Sequence, residues 1–266
     1  MAVAKPVGDV LRDWRQRRRL TQMDLALDAE ISPKHLSFLE TGRAQPSREM
    51  VLNLSERLEI PLRERNTLLV AAGYAPVFGE RSLNDPTLAS AREAVDLVLK
   101  GHEPYPALAV DRHWNLVAAN STVLKLMTAP PALMIPPINV LRLSLHPDGL
   151  ASRIRNYAEW KGHVLARLKR QIEQSADPVL AALHDELAKY RKAGEPALPP
   201  TKISHAQVVL PMVLEAEGHV LSLFSTTTIF GTPVDITLAE LAIESFFPAD
   251  KATADALRQL SETRSQ

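Results

Sequence analysis

The sequence predicts a multidomain chain, an all-α N-terminal head followed by an α+β body built on an antiparallel sheet. Three observations carry that expectation. Apolar residues recur at helical spacing through residues 7–72, interrupted by Ser, Thr, Pro and Gly where helices would begin or end. Residues 73–86, GYAPVFGERSLNDP, break the pattern and read as a linker. Beyond residue 208 the apolar period drops to two, the spacing of strands. At 266 residues the chain is long enough for two cores, and 45% hydrophobic with 23% charged residues is a globular composition. The expected boundaries are a head over 1–75, a linker and connecting helix over 76–103, and a body over 104–262.

The first helix covers residues 7–18, with Val7, Val10, Leu11 and Trp14 at helical spacing and Arg12, Arg15 and Arg18 beside them. Thr21 then caps a second helix that keeps Leu25, Ala26 and Ala29 on one face. A turn through Glu30 and Ile31 leads to a third helix, capped by Ser32, with Pro33 at the first position, where a missing N–H is harmless. This helix buries Leu36 and Leu39 and stops at Gly42, leaving Pro33, Lys34, His35, Ser37 and Phe38 facing outward. Ser47 caps a fourth helix carrying Val51, Leu54 and Leu58, and Pro61 opens a fifth over 62–72, ended by Gly73.

Two short helices joined by a tight turn, the second with an outward polar face, suit a helix that lies in a DNA major groove while its partner crosses the backbone. Thr21, Gln22, Leu25, Ala26, Ile31, Ser32, Leu36, Ser37, Glu40, Gly42, Pro46 and Ser47 together resemble the helix-turn-helix of the phage-repressor-like XRE family. The resemblance implies a five-helix repressor-type domain and a pairing of Arg15 with Glu40 that makes Glu40 structural. Proteins of this type bind double-stranded DNA as homodimers on palindromic operators, which is the expectation here. On the reading face Lys34 is a donor for guanine O6 or N7, and Ser37 and His35 are adaptable partners. Pro33 offers an apolar contact and Phe38 packs on a thymine methyl, unless Phe38 simply covers the surface and His35 is simply solvated. Ser32, as the cap, belongs to the same surface. Gln22, at a helix N-terminus, is placed to direct its amide at a phosphate, and Arg43 and Ser47 flank the next loop to hold the same strand. Net charge is zero, but residues 1–48 hold nine Lys and Arg against six Asp and Glu, with Arg15, Arg17, Arg18 and Arg19 clustered. A small basic patch on a neutral chain suits binding at one site rather than coating nucleic acid.

In the body, Asp85 and Pro86 start a helix to about Lys100, either connecting or dimerising. Ala107 to Asp111 and Leu116 to Ala119 flank a turn at 112–115, a hairpin signature. Asn120 and Ser121 offer caps for a short helix through Met127. A proline-studded loop follows, then a brief helix within INVLRLSLHPDGL, then longer helices over 151–174 and 178–192, and a second proline loop at 194–200. Residues 208–215 and 220–230 read as an antiparallel pair. Residues 238–247 are assigned to a strand, with Ala239, Leu241, Ile243 and Phe247 on one face and Glu240 and Glu244 on the other. Residues 251–262 form a last amphipathic helix.

The segments GHEPYPALAVDRHWNLVAAN, NVLRLSLHPDGL and LSLFSTTTIFGTPVD resemble the MmyB-like ligand-binding domain, which is PAS-like and often follows an XRE-type helix-turn-helix. The resemblance implies an apolar cavity for a long-chain, fatty-acid-like ligand with a carboxylate or similar head. Arg142 is the first choice for that head, because guanidinium matches a carboxylate bidentately. His146 and Arg153 lie near it in the chain, and Trp114, Asn120 and Trp160 are candidates to line or close the cavity. Bland alternatives stand beside each: Asn120 a helix cap, His146 a residue before a turn, the tryptophans plain core.

Catalysis finds no support. There is no HExxH, His-x-His, P-loop or GxGxxG, and the hydroxyl run Ser225 to Thr228 has no base at recognisable spacing. No cysteine is present, so thiolate chemistry, disulfides and Cys-type zinc sites are excluded. No signal peptide or apolar run of ~20 residues is visible, so a cytoplasmic protein without membrane contact is expected. The expected function is therefore a non-enzymatic transcription regulator, without a cofactor beyond a possible fatty acid, whose PAS-like body senses an apolar ligand and modulates operator binding. The alternative is a constitutive repressor whose body only dimerises or binds a protein partner.

Overall fold

A computed structural model of the chain describes residues 5–192, 210–231, 233 and 235–262. The loop at 194–200 and the first two residues of the strand expected over 208–215 lie outside them. Described residues within 1–81, 173–175 and 232–239 form one compact unit, and those within 82–172, 176–231 and 240–266 a second.

Within residues 5–81 the first unit contains five helices, α1 (Val7–Arg17), α2 (Gln22–Asp28), α3 (Pro33–Glu40), α4 (Arg48–Arg57) and α5 (Leu62–Ala71). Local chemistry sets their ends. Thr21 accepts from the Asp24 N–H while the Asp24 carboxylate accepts from the Thr21 N–H, a reciprocal capping box. Ser32 and Ser47 cap α3 and α4 by accepting from His35 N–H and Met50 N–H. Leu11, Leu25, Leu36, Leu39, Leu54, Leu58, Leu68 and Leu69 are fully buried, one apolar stripe from each helix. Gly8 permits the closest approach: a Cβ there would stand 2.4 Å from the Leu39 carbonyl oxygen, so only glycine lets α1 lie against the end of α3.

This unit continues past residue 75, where the sequence placed a linker. The Asn66 side chain accepts from Val77 N–H and Phe78 N–H and donates to Phe78 carbonyl, fixing the chain after α5.

The second unit opens with α6 (Ala89–Gly101), which is a packed element of the body rather than a connector. Its Val95 and Leu99 pack on Ala107, Ala109, Leu241 and Ile243. The hairpin β1 (Ala107–Val110) and β2 (Leu116–Ala119) follows, then α7 (Ser121–Leu126), α8 (Val140–Leu145), α9 (Tyr157–Ser175) and α10 (Pro178–Lys189). Strands β3 (Met212–Ala216) and β4 (His219–Ile229) meet at Glu217 and Gly218, both with positive φ, the conformation a two-residue hairpin turn requires.

Residues 238–247 are a strand only in part. A single helical turn, α11 (Ile236–Ala239), comes first, with Asp235 accepting from Thr237 N–H, and β5 (Ala242–Pro248) begins afterwards. Local capping overrides the alternation there. Helix α12 (Lys251–Glu262) ends the described chain.

The sheet order is β2-β1-β5-β4-β3 with every neighbour antiparallel, a PAS-like α+β arrangement. Helices lie on both faces of the sheet. α6 covers one, while Leu108, Val110, Leu214, Leu221 and Leu223 on the other join α7–α10 in the main core. Among the described residues no helix is long and apolar enough to cross a membrane.

Candidate DNA-reading surface and ligand cavity

In the head, Glu40 is the fixed point. It is 1% exposed at the end of α3. Arg15 donates from Nε to Oε1 at 2.6 Å and from Nη2 to Oε2 at 2.9 Å, the bidentate fork that the XRE resemblance implied. Arg12 donates to the Glu40 backbone carbonyl at 2.7 Å. Burial pushes the Glu40 carboxyl up, but Arg15, Gln22 and Arg12 outweigh it and hold it below its ordinary value.

Gln22 has a partner within the head. Its amide donates one N–H to Glu40 Oε2 at 2.8 Å, so it also serves the ion pair. The α2 N-terminus is also occupied by the Asp24 carboxylate of the capping box. The arginine cluster divides likewise. Arg15 is committed to Glu40, and Arg18 donates to the carbonyls of Leu58 and Glu59, closing the end of α4. Arg17 and Arg19 are exposed.

The remaining candidates are all at least partly accessible, and three of them cluster. Ser32, Pro33, Lys34, Arg43 and Ser47 are exposed, and His35, Ser37 and Phe38 are half-buried. Lys34 Nζ lies 5.7 Å and the Arg43 guanidinium 5.9 Å from the centroid of the Phe38 ring. Phe38 is therefore a platform holding two cations. Ser32 and Ser47 use an oxygen lone pair in capping and retain a hydroxyl donor for a phosphate.

In the body, a cavity of about 100 Å³ lies between the sheet and the helices. Leu108, Leu126, Leu143, Trp160, Leu214 and Phe246 form much of its wall, and Trp114 also lines it. Its polar lining is Ser144, His163, Arg167 and Glu244. Arg167 donates through both terminal nitrogens to the Glu244 carboxylate, at 3.1 Å for Nη1 to Oε2, and to Thr227 Oγ1 at 2.7 Å. Its guanidinium lies 4.4 Å from the Trp114 ring, whose Nε1 donates to Gln171. Trp160 donates to Ser144 and stacks on His163. Burial, Arg167 and Arg170 push the His163 pKa down.

Four sequence candidates sit elsewhere. Arg142 forms a two-bond pair with Glu186, both at 2.7 Å, and its side chain is 44% exposed outside the cavity wall. Glu186, held down by Arg142, also accepts from Tyr190. Burial and Glu186 push the Tyr190 hydroxyl up to about 12. His146 packs edge-on to Tyr190 and accepts from Asp148 N–H, shaping the turn. Arg153 donates to the carbonyls of Leu126 and Thr128, closing the end of α7. Asn120 caps α7 and joins it to β1 and α6, through bonds with Val123, Ala107, Leu99 and Tyr105. All four are structural here. None of the four polar lining residues was a sequence candidate, and Arg167 and Glu244 are the charged pair among them. Their only local signals were a glutamate inside an apolar strand and an arginine beside the buried Tyr157, Trp160, Val164 and Leu168 stripe of α9.

A helix-turn-helix head joined to a PAS-like body with an apolar cavity defines a DNA-binding transcription regulator with a ligand-binding domain. Residues 91–260 match the MmyB-like transcription regulator ligand binding domain, and the chain belongs to that family. Residues 6–68 match a helix-turn-helix domain model. The transcriptional regulator ClgR of Mycobacterium tuberculosis is 34% identical over 79 residues, 30% of this chain and 68% of ClgR. Multiprotein-bridging factor 1 of Debaryomyces hansenii is 35% identical over 60 residues, 23% of this chain and 40% of that protein. Among solved structures, the clp gene regulator ClgR of Corynebacterium glutamicum aligns at 26% identity and a TM-score of 0.23, over 37% of this chain and 90% of its own. The PAS domain of Bordetella pertussis BvgS aligns at 13% identity and a TM-score of 0.27, over 66% of this chain and 97% of its own. These are families of transcription regulators, not of enzymes.

Proposed function

We propose that this cytoplasmic protein binds a palindromic operator as a homodimer and that a small apolar ligand in the body modulates that binding. The observation that carries the reading is the apolar cavity with one charged end, in a domain of a ligand-binding family. One head covers one half-site, and two heads about one helical turn apart read a palindrome. A fatty acid or similar lipid suits the apolar wall, with its head at Arg167 rather than Arg142. The volume, about 100 Å³, favours a short chain. A ligand shifts operator affinity only by binding two conformations unequally.

Selection of bound sequences from random DNA, with and without extracted lipids, tests both halves. The expected result is a two-fold symmetric site whose recovery changes with lipid. A constitutive repressor gives the same site with no lipid effect, and no lipid in denaturing mass spectrometry of protein isolated from its native host. In the same assay Lys34→Ala should lose preference at one base pair per half-site, by about 1–3 kcal/mol. Uniform weakening across sequences would make Lys34 a phosphate contact.

A further inference from the structure

The polar end of the cavity already balances its own charge. Arg167 and Glu244 are joined by two hydrogen bonds in a wall otherwise mostly aliphatic and aromatic. Thr227 links them further, accepting from Arg167 and donating to Glu244, each at 2.7 Å. Glu244 is 3% exposed. An anion brought to Arg167 would set two carboxylates on one guanidinium. Driving Glu244 away instead would leave a buried carboxylate without its partner, which is strongly unfavourable. Two carboxylates crowded into one site do not both stay ionised, and a proton is held between them.

We propose that the cavity admits an apolar ligand whose head group enters with no net charge, and that a carboxylic acid binds only with one proton taken up from solvent and shared with Glu244. Arg167 and Thr227 hold the resulting carboxyl–carboxylate pair, and no covalent bond is made or broken. This rests on the reading of the cavity as a ligand site and deepens it, making Glu244 the residue that sets which head groups are accepted. The groups facing Glu244 are Arg167 and His163 from α9, Thr227 from β4 and Leu108 from β1. Arg170 acts on His163 from the same helix. Among the described residues that line the cavity, His163 is the other group placed to take the proton, and the two are separable by substitution.

Titration calorimetry of the full chain with hexanoic acid and with hexanamide, at pH 6.5 and 7.5 in buffers of different ionisation enthalpy, counts the protons. Hexanoic acid should bind with uptake of close to one proton and weaken about tenfold over that pH unit. Hexanamide should bind equally at both pH values with no uptake. Glu244→Gln should bind hexanoate more tightly and without a proton, while His163→Gln keeps the uptake. Hexanoate binding to the unaltered protein without proton uptake overturns the proposal, as does its exclusion at both pH values. Uptake that survives Glu244→Gln but vanishes in His163→Gln also overturns it. If neither probe binds, the ligand reading itself falls and the proposal with it.

Discussion

The head and the body each contain an arginine–glutamate pair made by two hydrogen bonds around a buried carboxylate, yet the two differ in their surroundings. Around Glu40 every direction is filled: Arg15 on one side, Gln22 on another and the α1–α3 contact at Gly8 close by. Around Glu244 one side is open, since the pair forms part of a cavity wall and the Arg167 side chain is 23% exposed. The chemistry of the pair is the same in both places, and the space beside it differs. Where the space is filled, the pair ties two helices together. Where it is empty, the same two groups line a cavity.

Removing each glutamate should expose the contrast. Glu40→Ala leaves Arg15 buried without a carboxylate, and the head should lose about 3–5 kcal/mol, read by denaturant unfolding followed through Trp14. A loss under about 1 kcal/mol would show that the head does not depend on the pair. Acid should reach part of the same loss reversibly. Because the folded Glu40 pKa lies below its unfolded value, its contribution is present above the unfolded carboxylate value and fades as pH falls through the folded one. The Trp14 transition should therefore weaken below about pH 4, and in Glu40→Gln that part of the acid dependence should disappear. Glu244→Ala should be milder, about 1–3 kcal/mol, because Arg167 keeps Thr227 and the Trp114 face and can be reached by water from the cavity. Equal losses for the two alanine variants would erase the distinction. The smallest effect is expected for Arg142→Ala. Its pair with Glu186 is half-exposed, so stability should move by about 0–1 kcal/mol and ligand affinity should not change.

What the sequence revealed depended on how far apart the interacting residues were. The caps at Thr21, Ser32 and Ser47 act within three residues and were legible directly. The β1–β2 hairpin was legible for the same reason. Arg15 and Glu40, 25 residues apart, became a pair only through resemblance to a known family. Arg167 and Glu244 lie 77 residues apart, and nothing local joins them. Arg142 stands out in the sequence instead, and its bidentate partner is Glu186 on α10. A guanidinium's geometry says that it seeks a carboxylate, not which one. The start of β5 is not legible because one aspartate, Asp235, caps a helical turn that the alternation of 239–247 conceals.

Phe38 has a further consequence. A lysine and an arginine on an open surface each sample many rotamers, and ordering either one can forfeit up to about 2 kcal/mol of side-chain entropy. With both cations drawn toward one ring, part of that ordering is completed when the head folds. On the proposed reading of this face the two cations are thus pre-organised, and less freedom remains to be lost when a phosphate arrives.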